Sequence, residues 1–166
     1  MSSTAMANDD VYSFVALDLS KLENNIFESD NYINFSYSPS ITIGFAKDYQ
    51  LYDDWLLTNS VGIRGQQASF YSTNKQEVKE YGEVKKIGLI AGTRLHYLGL
   101  NETVIPFVEM EAGINNTFLS HKNNKQDQWQ TDYKIATGLE FITRNDTSFS
   151  ISVGYGDNVG NKFNNP

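Results

Sequence analysis

Between Val84 and Asn115 the chain reads VKKIGLIAGTRLHYLGLNETVIPFVEMEAGIN, and both halves of this stretch alternate with a period of two. In the first half Ile87, Leu89, Ala91, Thr93, Leu95 and Tyr97 share one face, against Lys86, Gly88, Ile90, Gly92, Arg94 and His96 on the other. In the second half Val108, Met110, Ala112 and Ile114 alternate with Glu109, Glu111, Gly113 and Asn115. Such alternation predicts two strands with unlike surroundings on their two faces, joined by a turn at 99–103. The polar face combines glycine with charges of both signs, which is odd for a surface facing water. It suits the crowded polar interior of a small membrane barrel.

The same pattern recurs along the chain. Strands are expected at 11–19, at 32–51 with a local irregularity at Pro39, at 55–70, at 129–142 and at 147–156, besides the two of the central stretch. Ile41, Ile43 and Phe45 oppose Thr42, Gly44, Ala46 and Asp48, and Leu57, Val61 and Ile63 oppose Ser60, Gly62, Arg64 and Gln66. Tyr133, Ile135, Thr137, Leu139 and Phe141 oppose Asp132, Lys134, Ala136, Gly138 and Glu140. Phe149, Ile151, Val153 and Tyr155 oppose Ser148, Ser150, Ser152 and Gly154. Connections should alternate between short turns (52–54, 99–103, 145–146) and long polar loops (20–31, 72–80, 116–128), with the short turns together at one end. The expected fold is all-β: an antiparallel up-and-down β-barrel of the eight-stranded type, with seven strands visible.

Composition narrows the class. One domain is expected from 166 residues, spanning 11–166 after a leader or signal-peptide remnant at 1–10, where Ala5-Met6-Ala7 has the small-x-small form of a signal-peptidase site. A mean hydropathy of −0.43 and the lack of any apolar run near the roughly 20 residues of a membrane helix exclude a helical membrane protein, but not a strand barrel. Zero cysteines remove disulfides and thiolate chemistry. The net charge of −7 argues against nucleic acid, whose binding needs a basic face.

The segments IGFAKDYQLYDDWLLTNSVGIR, VIPFVEMEAGIN and YKIATGLEFITRNDTSFSISVGYG together resemble the small outer-membrane barrels of the OmpA/OmpX-like porin superfamily. The resemblance covers roughly residues 40 to 156. It implies an outer-membrane location in a Gram-negative cell envelope, contact with outer-membrane lipid, and external loops that meet lipopolysaccharide or another surface ligand. The chain departs from the family in showing seven strands rather than eight. The segment 157–166 (DNVGNKFNNP) is too short and polar to cross a bilayer as a strand of roughly 9–11 residues. An eighth strand is therefore expected from beyond Pro166 or from a strand-pairing protein partner.

The inward set predicted from the alternation is Asp48, Arg64, Lys86, Arg94, His96, Glu109, Glu111, Asp132, Lys134 and Glu140. An ion pathway or a catalytic carboxylate pair is one reading of these residues. Opposite charges pairing across neighbouring strands is the other, and it is preferred because unpaired charge in a low-dielectric interior is costly. Trp55, Tyr97, Trp129, Tyr133, Phe141 and Tyr155 are expected at the membrane interfaces. Ser120-His121 lacks the order of the Ser/His pair used by lipid A deacylases, an enzyme branch built on similar barrels, so no catalytic residue is assigned. His96 and His121 stand without the further ligands a metal site needs, and no cofactor is expected. The expected function is a structural or surface-interaction barrel, not an enzyme. The alternatives are a soluble, lipocalin-like ligand-binding barrel and, third, a lipid-modifying outer-membrane enzyme.

Overall fold

A computed structural model describes residues 11–21, 33–73, 79–100, 103–121, 124–143, 148–160 and 163. Its strands are β1 (Tyr12–Lys21), β2 (Ile33–Phe35), β3 (Tyr37–Tyr52), β4 (Trp55–Thr73), β5 (Lys79–Tyr97), β6 (Val104–His121), β7 (Asn124–Ile142) and β8 (Ser148–Gly160). They form one antiparallel sheet in the order β1-β3-β4-β5-β6-β7-β8, with β2 pairing β4. β2 and β3 together make one bent run. Phe35 lies opposite Phe70 and Ser40 opposite Gln66, so residues 36–39 face only 67–69. This is a β-bulge, and Pro39, which has no backbone N–H to give, sits within it. The Ser36 N–H donates to the Ser69 carbonyl (2.9 Å) and the Ser38 hydroxyl to the Gln67 carbonyl (2.8 Å), satisfying β4 carbonyls along the irregular stretch.

The up-and-down antiparallel arrangement agrees with the expectation from alternation, and so does the short turn at Asp53-Asp54. Two expected loops are corrected. β6 runs on to His121 and β7 starts at Asn124, so most of 116–128 is strand and not loop. β4 continues to Thr73 and β5 begins at Lys79, which shortens the 72–80 connection in the same way. β8 extends to Gly160, four residues beyond its expected end. The turn at 145–146, the leader at 1–10 and most of the loop at 20–31 lie outside the described residues.

Among the described residues no ladder joins β1 to β8. The sheet nevertheless curls so far that Lys134 on β7 touches Asp18 on β1, at 3.1 Å. One core of buried apolar side chains sits at the end of the sheet away from the Asp53-Asp54 turn. It comprises Phe35, Ala68, Phe70, Val84, Leu119 and Phe163.

Candidate functional site

The concave face carries a chain of ion pairs. Arg64 holds Glu111 with both guanidinium Nη atoms, Nη2 reaching Oε2 at 2.7 Å, and its Nε donates to the Thr42 hydroxyl at 2.9 Å. The Arg64 Nη2 also stands 3.7 Å from Asp18. Asp18 meets Lys134, which lies 3.7 Å from Glu109. Glu109 accepts from Arg94 Nε (2.8 Å) and Nη2 (2.5 Å), while Arg94 Nη1 is 3.9 Å from Glu140. Glu140 ends the chain at His96 Nε2, 3.0 Å away, and accepts from the Ser148 hydroxyl. Lys86, 5% exposed, pairs separately with Asp132 at 3.3 Å. Asp48 accepts from the hydroxyls of Thr58 (2.6 Å) and Tyr12 (3.1 Å). The guanidinium of Arg94 also lies over the Phe107 ring, 4.1 Å from its centroid, a cation–π contact.

Most of the ion pairs skip a strand, although Arg94 and Lys134 meet Glu109 on a neighbouring one. Arg64 on β4 reaches β6, Lys86 and Arg94 on β5 reach β7, and Lys134 on β7 reaches β1. Glycines clear the way. Arg64 is paired with Gly88, Glu111 with Gly92, Asp132 with Gly113 and Lys134 with Gly156. A long side chain laid across a strand needs a residue with nothing projecting from it, which explains why charge and glycine share one face. A Cβ on Gly88 would stand 2.3 Å from both the Asn115 Oδ1 and the Ile114 carbonyl.

The convex face is apolar and uncovered. Ile43, Phe45, Val61, Ile63, Leu89, Val108, Ile114, Ile135 and Val153 are each more than half exposed. This band covers 41–51 on β3, 87–97 on β5 and 104–114 on β6. Its polar exceptions include the paired neighbours Lys47 and Asn59. Trp55 packs against Tyr97 (4.9 Å between rings) and Phe141 against Phe149 (5.0 Å) at the end of the band nearest the Asp53-Asp54 turn. Trp129, Tyr133 and Tyr155 are exposed towards its opposite end. Trp129 is not at a strand end, because β7 begins five residues earlier.

Beyond the band the strands continue and their polarity reverses. On β4 the outward residues change from Val61 and Ile63 to Gln67 and Ser69, while the inward ones change from Arg64 to the buried Ala68 and Phe70. On β5 the outward Leu89 and Ile87 give way to Lys85 and Glu83, and the inward Lys86 to the buried Val84. On β6 the inward Thr117 is followed by Leu119 and His121, and Ser120 faces out, although Phe118 remains exposed. The extension is thus built with its apolar side chains inward. His121 stacks on Phe70 there, with ring centroids 6.0 Å apart, and the Phe70 ring covers its cross-strand partner Gly82. Phe163, in a tail with no readable periodicity, is fully buried in this cluster. A hollow of about 290 Å³ on the outer side of the extension is lined by Glu83, Lys85, Phe118, Lys125 and Asp127 among others.

Ser120 and His121 are adjacent on β6, so their side chains leave on opposite faces, one exposed and one buried. Ser148 contacts Glu140, not His96. Neither arrangement places a serine against a histidine base as nucleophilic catalysis requires. Among the described residues no group of three His, Cys, Asp or Glu side chains could hold a metal ion. Comparison with protein-family models, with curated proteins and with solved structures finds no match.

Proposed function

We propose that this chain is a small outer-membrane β-barrel protein of a Gram-negative cell envelope, with a structural or surface-interaction role and a lumen filled by paired charges. The reversal of polarity along single strands carries this reading. A protein wholly in water has no reason to face isoleucine, leucine and valine outward over one part of a strand and bury them over the next. A strand that crosses hydrocarbon and emerges into water does. The band is about eleven residues tall on β5; at about 3.3 Å per residue and a tilt of roughly 40°, that rises about 25 Å, the height of an outer-membrane apolar band. The aromatic pairs at one end and Trp129, Tyr133 and Tyr155 towards the other fit interfacial girdles. A lipocalin-like reading would need an apolar cavity where this chain has Arg64, Lys86, Glu111 and Lys134.

The extension with its buried phenylalanines is then the part exposed to the cell exterior. Lys85 and Lys125, just outside the band, are placed to meet the phosphates of lipopolysaccharide, with Glu83 and Asp127 beside them limiting the attraction.

The two tryptophans test the reading, because they stand towards opposite ends of the band. Trp55→Phe and Trp129→Phe each leave one reporter. In phospholipid vesicles, lipids brominated near the headgroup should quench both single-tryptophan variants, and more strongly than lipids brominated at the chain ends. Absence of quenching in both, or recovery of the protein as a monomer without detergent, would sink the proposal.

A further inference from the structure

We propose that Lys47, Asn59 and Thr93, side by side on the outer face of β3, β4 and β5, form a seat for the phosphate of an anionic phospholipid in the leaflet at the turn end. The inference rests on the membrane reading above and adds to it a defined lipid site, at the end of the sheet away from the lysines of the extension.

The row follows from register. Lys47 lies opposite Asn59 and Asn59 opposite Thr93, so the three side chains leave the sheet at one level on three adjacent strands. All three alternate with lumen-facing neighbours and point outward with Phe45, Val61 and Ala91. The levels on either side are apolar or aromatic. Tyr49, Leu57 and Leu95 stand nearer the turn, and Phe45, Val61 and Ala91 farther from it. Across the outward positions of β3 to β7 within the band, Lys47 is the sole charged residue among those described.

This setting selects an anion. At about 3.3 Å per residue and a tilt of roughly 40°, the Lys47 Cα stands about 10 Å inside the band from Leu51. A lysine facing hydrocarbon at that depth is costly, and an ionisable residue kept at such a place points to a partner. Its long stem offsets part of the cost. The ammonium lies 5.4 Å from the centroid of the Tyr49 ring, the next outward residue towards the turn, so the charge is carried back towards headgroup level with a cation–π contact. An anionic headgroup drawn up to it supplies the counter-charge. The Asn59 amide and the Thr93 hydroxyl offer donors to the phosphate and ester oxygens. Beyond the row, Ala91 and its cross-strand partner Ala112 keep the wall low between Val61 and Tyr133, leaving a course for an acyl chain towards the middle of the band.

Charge also tells against a second copy of the chain as occupant. The outward positions of β3 to β7 within the band hold no carboxylate to meet Lys47, and a two-fold contact through the row would set lysine against lysine. Asp48, next in sequence, projects to the other face, where Thr58 and Tyr12 donate to it.

The test uses the full chain carrying Trp129→Phe, which leaves Trp55, two outward positions from Asn59 on β4, as the reporter. The protein is placed in phosphatidylcholine vesicles containing an equal minor fraction of either phosphatidylglycerol or phosphatidylcholine brominated near the headgroup. The brominated anionic lipid should quench Trp55 as though it bound about fivefold more tightly, the preference one lysine gives near a membrane surface. Lys47→Gln should erase the preference and Lys47→Arg should keep it. With Trp55→Phe in place of Trp129→Phe, Trp129 reports the other end, and its response to the two lipids should be unchanged by Lys47→Gln. Equal quenching of Trp55 by the two lipids, or a preference that survives Lys47→Gln, would overturn the lipid site and leave the membrane reading standing. No quenching of either tryptophan by either lipid would remove both. A cross-linked dimer that forms in the same vesicles and is lost in Lys47→Gln would give the row to a second copy and overturn the proposal as well.

Discussion

Removing Arg64 tests whether the lumen network holds the fold together. The guanidinium grips Glu111 through two nitrogens, and Glu111 has no other cation within 4 Å among the described residues. Both side chains are largely enclosed, at 15% and 11% exposure. Arg64→Ala therefore leaves a carboxylate desolvated and alone, and breaking a buried pair in this way costs about 3–5 kcal/mol. With a urea m-value of roughly 2 kcal/mol/M, the unfolding midpoint should fall by about 1.5–2.5 M. Lys85→Ala is the control. Its partner Glu83 is 3.1 Å away, but the lysine is 56% exposed, so the loss should stay below about 1 kcal/mol.

Desolvation can be separated from packing by a third and a fourth variant. If the cost of Arg64→Ala comes from the stranded charge, Glu111→Gln added to it should return much of the loss, because the buried anion is then gone. If the cost comes from lost contacts of the arginine stem, the double variant should be no better than the single one. The measurement is equilibrium unfolding in vesicles followed by tryptophan fluorescence, with all four variants in one cycle. An Arg64→Ala effect within about 1 kcal/mol of the unaltered chain would refute the account of the lumen as a desolvated network.

Gly88→Ala should destabilise by about 1–3 kcal/mol, since its Cβ meets backbone and the Asn115 amide, while Gly65→Ala, with nothing within 4 Å, should be nearly neutral in the same titration. Phe163→Ala should cost about 3–5 kcal/mol locally, as expected for a fully buried phenylalanine. Hydrogen exchange should then speed up at Val84 and Leu119 around it and stay unchanged in the band; uniform acceleration would mean that the two parts unfold together.

The strands and their two faces were legible because the period of two survives wherever surroundings stay constant. Ile87 to Tyr97 and Tyr133 to Phe141 needed no tertiary information. The extension was not legible as strand because the phase of the alternation slips there. On β5, Val84 is apolar and inward, Lys85-Lys86 intervene, and Ile87 is apolar and outward, so the spacing of three breaks the rhythm. Polar residues such as Ser120, Lys125 and Asp127 then read as loop, although a strand in water carries such residues on its outer face. The charged residues of the lumen were legible, and Arg94 and Lys134 do meet Glu109 on a neighbouring strand as expected. The reach of Arg64, Lys86 and Arg94 to the next strand but one depends on which glycine faces which charge, and only the register supplies that. Phe163 lies among Asn, Lys and Pro with no pattern at all; its burial is a tertiary event.

One substitution distinguishes an apolar wall in hydrocarbon from the same wall in water. Val61 projects from β4 within the band and is 58% exposed, with Phe45 and Ala91 as its cross-strand neighbours. In water, replacing an exposed valine by arginine changes stability by no more than about 0.5 kcal/mol, because the side chain disturbs no packing. Against lipid, an arginine near the midplane of a strand barrel costs about 2–4 kcal/mol, falling towards zero at the interfaces. Val61→Arg should therefore be costly in phospholipid vesicles and Ser69→Arg, on the exposed outer face of the extension, should not. The steepness of the difference also locates the boundary. Gln67→Arg should behave like Ser69→Arg, and Ile63→Arg should fall between Ser69→Arg and Val61→Arg, since the outer face changes character between Ile63 and Gln67. If Val61→Arg and Ser69→Arg prove equally mild, the band does not face hydrocarbon. The reversal of polarity would then need an apolar protein surface around the lower half of the sheet instead of a membrane.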